Sequence, residues 1–397
     1  MGKEYQLAVP PDADPSKDWV PTDVYDWKVR ETNALVLNYT MACPLRCDFC
    51  CYSCHSGRTA QTMPFEKALD LVRQAAAIGR FSCIGFTGGE PLLYVDEIVQ
   101  IAALAKSLGM SSTVATAAHW ADSPEEANRV VGALVENGLS RLNISHDPSH
   151  AQWVPSENVV NAAIAASDIG VDTYVVGTFV DPVQKLEQML PQVIGLPYVH
   201  LFNKYVAKVG RAANQDITQA TYDLDLGLED LACYRRVHHD VVVFWDGRVY
   251  PCCSTFNRST PGLIAGNAFE ETLLSIWERV EGSLLLRTMK RQGFAEVYRI
   301  VGKIDAELAE RLPLARDAVG PCSLCHNVFK DKTMNADIRR AFDIYESAKV
   351  ASALNVLEAQ IDPQAFRQTL IESTNAPERP SRSTAVSLPV PTMRISK

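Results

Sequence analysis

The sequence lacks any run of 18 uninterrupted apolar residues, which excludes an ordinary transmembrane helix. Its opening stretch, MGKEYQLAVPPDADPSKDWV, has no basic flank, apolar run or small-residue cleavage site. No secretory signal is read there, and a cytoplasmic location is expected. Positive charge is also short: 38 Lys and Arg stand against 47 Asp and Glu, for a formal net charge of -9. With no local basic patch, neither nucleic acid nor a membrane surface is an expected partner. The 8 histidines, His238 and His239 among them, read as surface or packing residues rather than ligands.

What the chain does have is size and sulfur. Its 397 residues, 47% apolar, are enough for two domains with real cores. It carries 11 cysteines, an odd number, clustered at short spacings. In a reducing compartment that pattern points to metal ligation rather than disulfides.

From residue 34 the sequence alternates β-rich runs with helical patterns, the mark of β/α units around a mostly parallel sheet. ALVLNYT (34–40) is the first strand. PFEKALDLVRQAAAIG (64–79) follows as a helix with Phe65, Ala68, Leu69, Val72, Ala75 and Ala76 on one face, Pro64 in its first turn and Gly79 past its end. Five more strand patterns and their helices, one of them around 184–194, bring the count to six strands by about residue 210. Either an open sheet or a partial barrel places its ligand at the carboxyl ends of those strands.

Beyond 210 a hairpin turning at Asp246-Gly247 is expected, then helices near 270–291, 294–312, 334–360 and 363–372. The expected divisions are an extension over 1–33, an α/β unit over 34–210, a smaller unit over 211–335, C-terminal helices over 336–372 and a Pro/Ser/Thr-rich disordered tail over 373–397.

The stretch ACPLRCDFCCYSCHSG (42–57) holds C-x3-C-x2-C twice, as Cys43/Cys47/Cys50 and as Cys47/Cys51/Cys54. Three thiolates suit an iron-sulfur cube with one open iron, and a structural zinc site is the alternative. TGGEP (87–91) follows the second strand at the same carboxyl edge. Gly88 and Gly89 allow close backbone approach to a ligand, and Glu90 offers an anion for an ammonium group.

Together the two motifs resemble the radical S-adenosylmethionine (SAM) superfamily over about residues 34–210. That resemblance implies an α/β fold, a partial (β/α)6 barrel. It implies a [4Fe-4S] cluster whose open iron holds SAM, an external electron donor of flavodoxin or ferredoxin type, and a 5'-deoxyadenosyl radical that abstracts hydrogen. Cys43-Pro44-Leu45-Arg46-Cys47-Asp48-Phe49-Cys50 matches the family pattern with its aromatic before the third cysteine, whereas the second register places Ser53 there. The resemblance therefore assigns Cys43, Cys47 and Cys50 to the cluster, and Phe49, Gly88, Gly89, Glu90, Pro91 and Ser145 to cofactor binding. Ser145 lies in Ile144-Ser145-His146-Asp147, similar to a strand end often near the cofactor, and Val209-Gly210-Arg211-Ala212 resembles a segment after the last barrel strand of peptide-modifying members.

A second set, Cys233-x13-Gly247-x4-Cys252 followed by Cys322-x2-Cys325, fits a second cluster or a zinc ion. It resembles the SPASM region in its shortened twitch form, with one auxiliary [4Fe-4S] cluster and Cys253 left over. Cys83 reads as a small hydrophobe in a buried strand, and Cys51 and Cys54 as bystanders or substrate-facing thiols. Asp147, Glu90 and Tyr52 are candidates for proton transfer by location alone. The function implied is oxidative modification, such as cross-linking, of a ribosomally made peptide. Dehydrogenation of a small alcohol or sugar is the second enzymatic reading, and a non-catalytic two-cluster electron carrier is the third.

Overall fold

The computed structural model describes residues 33–181, 183–215, 227–233 and 240–360, with backbone only over 355–360. The expected N-terminal extension (apart from Asn33), His238-His239, the helix at 363–372 and the tail lie outside the described residues. A first compact unit ends at Phe342, and a second runs from Asp343. Of the second, the later part of the helix Lys332–Gln360 is what is described.

Among the described residues one sheet has nine strands, in the order β6-β5-β4-β3-β2-β1-β7-β8-β9, the last being the short strand Gly266–Asn267. Strands β1 (Asn33–Thr40), β2 (Phe81–Gly88), β3 (Ser111–Thr116), β4 (Leu139–Ser145), β5 (Asp172–Phe179) and β6 (Val199–Tyr205) run parallel, each paired with the next. Period-2 alternation separates their two faces. In β1, Leu35, Leu37 and Tyr39 join the core under the outer helices, which leaves Val36, Asn38 and Thr40 facing inward. At the amino ends of the strands, Tyr174 stacks on His200 at 4.7 Å and lies beneath the Arg141 guanidinium, filling the floor.

The helix Phe65–Ile78 forms where the spacing predicts, and Gly79 closes it in the left-handed conformation at φ 67. Ser123 caps Pro124–Glu136 by accepting from the Glu126 amide. The helix expected around 184–194 shrinks to Leu186–Met189, because Pro191 cannot continue it. The stretch 270–291 is two helices, Leu273–Gly282 and Leu284–Arg291, divided by Ser283, which caps the second. A helix over Pro321–Phe329 carries Cys322 and Cys325.

The hairpin turning at Asp246-Gly247 is present as β7 (Asp240–Phe244) and β8 (Arg248–Tyr250). Its placement differs from the expectation of a separate smaller unit: β7 lies parallel to β1, with Leu35 opposite Val241 and Asn38 opposite Phe244. The sheet thus runs without a break from the barrel into the second cysteine region. Outside it, Trp277 meets Phe81 edge-on at 4.8 Å, and the Leu273 amide donates to Gln74. Trp277→Ala is expected to cost about 3–5 kcal/mol, since it empties a buried site joining the C-terminal helices to β2. Denaturant unfolding followed by far-UV circular dichroism measures it.

Candidate functional site

Strand β1 delivers Met41, Ala42 and Cys43 directly to the carboxyl edge of the sheet. Cys43, Cys47 and Cys54 are buried together with Met41, Leu45, Ala117 and Val154, and Cys50 packs against them. The Cys54 amide donates to Cys50 Sγ at 3.4 Å. A bond from the Cys54 thiol, outweighing burial, lowers Cys50 to about 5. Burial and then Glu90 push Cys43 up. The Cys51 thiol has a different setting: burial and Cys50 raise it, Lys204 opposes them, and Cys253 adds to the rise. Cys83 lies buried in β2, as a small apolar residue would.

The cysteine loop is held by its own carbonyls. Arg211 donates from Nε to Cys47 O at 2.6 Å and from Nη1 to Cys54 O at 2.8 Å, and its amide donates to Cys50 O. Gln215 donates to Asp48 O, and Ser149 accepts from the Asp48 amide. Phe49 packs on Val206 and Ala212 and lies tilted over the His150 ring. Burial pulls His150 down, but Asp147 and the Cys47 thiol outweigh it and raise His150 to about 10, a cation beside the triplet. Asp147 is fully buried and accepts from the amides of Ser149, His150 and Thr178 as well as from the His150 ring. It organises the strand end, and Ser145 closes β4 just before it.

The GGEP turn reaches the same edge in a way the motif alone does not reveal. Gly89 donates to Thr40 O and Glu90 to Ala42 O, and a Cβ on either Gly88 or Gly89 would strike that backbone. The close approach is therefore to the chain's own β1 end, which these glycines lock under the triplet. The buried Glu90 carboxylate accepts from Thr116 Oγ1, the Ala117 amide and the Leu92 amide. A carboxylate offers about four acceptor positions, and the fourth, on Oε2, faces the His119 ring 3.8 Å away, beyond hydrogen-bond distance. Pro91 opens the turn that follows.

Across from this loop, Tyr52 donates to Ser254 O at 2.9 Å, and Arg258 donates to Tyr52 O at 3.0 Å. The Tyr52 ring meets Phe244 edge-on at 5.3 Å. These contacts bring the two cysteine regions side by side. Beyond them Cys233, Cys252, Cys322 and Cys325 line one small cavity, together with Leu286, Met289, Lys290 and Phe294. Burial pushes the Cys325 thiol well above its ordinary range. A wall of four thiols in an otherwise largely apolar setting is a donor set suited to iron-sulfur ligation. Among the described residues no group of three His, Cys, Asp or Glu side chains stands at metal-ligand spacing.

The radical SAM superfamily model matches residues 37–190, and the SPASM iron-sulfur cluster-binding domain matches residues 233–295. The chain therefore carries a radical SAM domain and a SPASM domain, with SAM and [4Fe-4S] clusters as the cofactors they imply. The second match, to a domain described as iron-sulfur cluster-binding, spans Cys233 and Cys252. YydG of Bacillus subtilis (strain 168), named for a role in peptide biosynthesis, is 25% identical over 301 residues, covering 74% of this chain and 91% of YydG. Two solved structures are also similar. That of anSMEcpe with AdoMet and the Cp18Cys peptide has 14% identity and a TM-score of 0.46, over 82% of this chain and 99% of that one. BtrN with AdoMet and 2-DOIA has 15% identity and a TM-score of 0.41, over 67% and 90%. No helix among the described residues is long and apolar enough to cross a membrane.

Two residues of this site, Lys290 and Asn38, escape a motif reading. Lys290 and Arg211 act through long-range contacts, although Arg211 does stand in the Gly210-Arg211-Ala212 match. Asn38, fully buried and facing the barrel interior, has no hydrogen-bond partner among the described residues for either side-chain amide atom. A lone polar residue in the run ALVLNYT is its one sequence signal.

Proposed function

We propose that this radical SAM enzyme abstracts hydrogen from a ribosomally made peptide and modifies it oxidatively, for instance by cross-linking side chains. The likeness to YydG over nine-tenths of that protein carries the peptide reading. Asn38 supports it: a buried side-chain amide with neither atom bonded among the described residues is complementary to a peptide group, donating to its C=O and accepting from its N–H.

In this reading Cys43, Cys47 and Cys50 hold the first cluster, and Cys233, Cys252, Cys322 and Cys325 the auxiliary one. Gly88, Gly89, Glu90, Pro91, Ser145 and Phe49 form the cofactor's surroundings, with the fourth acceptor position of Glu90 available to its ammonium group. When bound, cluster and SAM supply the 5'-deoxyadenosyl radical. The chain's own residues fix the cysteine loop through Arg211, keep the His150 charge beside Cys47, and present Asn38 to the substrate. The barrel over 34–210 and the cysteine region over 211–335 then act as one catalytic body.

Anaerobically prepared, reduced protein with SAM and a short peptide encoded beside its gene is expected to release 5'-deoxyadenosine and a peptide lighter by two hydrogens per cross-link. A peptide of unchanged mass would mean that hydrogen is returned and would overturn the oxidative part. Loss of two hydrogens from a small alcohol, with the peptide untouched, would replace the peptide reading.

A further inference from the structure

Lys290 stands in the wall of the cavity that gathers Cys233, Cys252, Cys322 and Cys325. It is 6% exposed, a rare burial for a lysine. The helix Leu284–Arg291 turns Leu286, Met289 and Lys290 toward the thiols, and among the described residues Lys290 is the single cationic side chain lining the cavity.

Four thiolates around a [4Fe-4S] core leave about two net negative charges, and reduction adds one more. Placing that charge among Leu263, Leu286 and Phe294 is costly without a counter-charge. An ammonium group in the same wall lowers that cost, and it does so more for the reduced cluster than for the oxidised one.

We propose that Lys290 is the charge-compensating residue of the auxiliary cluster, donating from Nζ to a ligand thiolate or sulfide and raising the cluster's reduction potential. This rests on the reading of the four cysteines as ligands of one cluster. It gives that cluster the bias of an electron acceptor, built from a residue outside the cysteine motifs.

The test compares wild type, Lys290→Met and Lys290→Arg as full chains prepared anaerobically, by iron and sulfide counts and by redox titration followed by electron paramagnetic resonance. The Met variant is expected to shift the auxiliary cluster at least tenfold toward its oxidised form, about 59 mV for one electron, with the first cluster unmoved. Arg is expected to restore most of the shift. Equal potentials in wild type and the Met variant would overturn the role of Lys290 alone. Wild type holding a single cube would instead overturn the ligand reading on which it rests. Loss of the auxiliary cluster in Met but not in Arg supports charge compensation, whereas loss in both overturns it in favour of shape. Lys290→Gln reads the same potential if the Met variant does not fold.

Discussion

Cys43→Ala is expected to abolish cleavage of SAM and to remove the first cluster's share of iron, about four atoms of eight, while Cys54→Ala keeps both. The two registers of the doubled spacing share Cys47 and differ in the rest. Cys43 leaves β1 directly and is buried beside Glu90, at the edge where the GGEP turn locks the strand end. The competing register needs Cys51, whose thiol is set between Lys204 and Cys253. Cys54 lies close to Cys50, and its thiol bond must open for Cys50 to turn to a cluster. Removing Cys54 deletes that competitor and none of the three ligands. Anaerobic iron analysis and chromatography of 5'-deoxyadenosine decide the matter. Loss of cluster in Cys54→Ala with retention in Cys43→Ala would assign the cluster to Cys47, Cys51 and Cys54.

Gly210→Ala is expected to lower cleavage about 10–100-fold and to deplete the first cluster, although it touches no ligand side chain. Gly210 has φ 60, and a Cβ there would strike the carbonyls of Cys50 and Cys51. An alanine held in that conformation costs about 1–3 kcal/mol before any clash is counted, a cost the chain relieves by moving the loop. The next residue is Arg211, which grips the carbonyls of Cys47 and Cys54. Displacing Gly210 therefore displaces both ends of the grip. Arg211→Lys, which keeps the charge but loses the fork, is expected to fall in the same direction by a smaller factor. A Gly210→Ala chain with full iron content and full cleavage would show that the loop is held elsewhere.

Much of the architecture is legible along the chain because it rests on local signals. Pro64 and Gly79 bound their helix, Ser123-Pro124 starts another, and Asp246-Gly247 turns the hairpin. The motifs around Cys43 and Gly88 fix one edge of the sheet because each follows a strand. What is not legible is partner choice. Residues 240–244 read as a strand, but their pairing with β1 depends on contacts some 200 positions away. Pro321–Phe329 shows its C-x2-C and hides its helix, whose purpose is to bring Cys322 and Cys325 to a cavity shared with Cys252. Lys290 sits in the pattern LLLRTMKR as an ordinary surface charge, and only packing shows it turned inward. The glycines of GGEP read as room for a ligand, and packing shows a further need for them, since a Cβ at either would strike the backbone of Thr40 or Ala42.

The pairing of β7 with β1 also bears on how the protein is made. During synthesis β1 finds β2 early, but its other edge waits for residues 240–244 to emerge from the ribosome. Until then an apolar strand with unsatisfied backbone groups is exposed, a template for joining another nascent chain. A chain cut after residue 215 keeps the cysteine triplet, the GGEP turn and Arg211 yet leaves that edge bare. It is therefore expected to aggregate rather than yield a free-standing barrel, and the later-made strand β7 serves as the chaperone of the first strand.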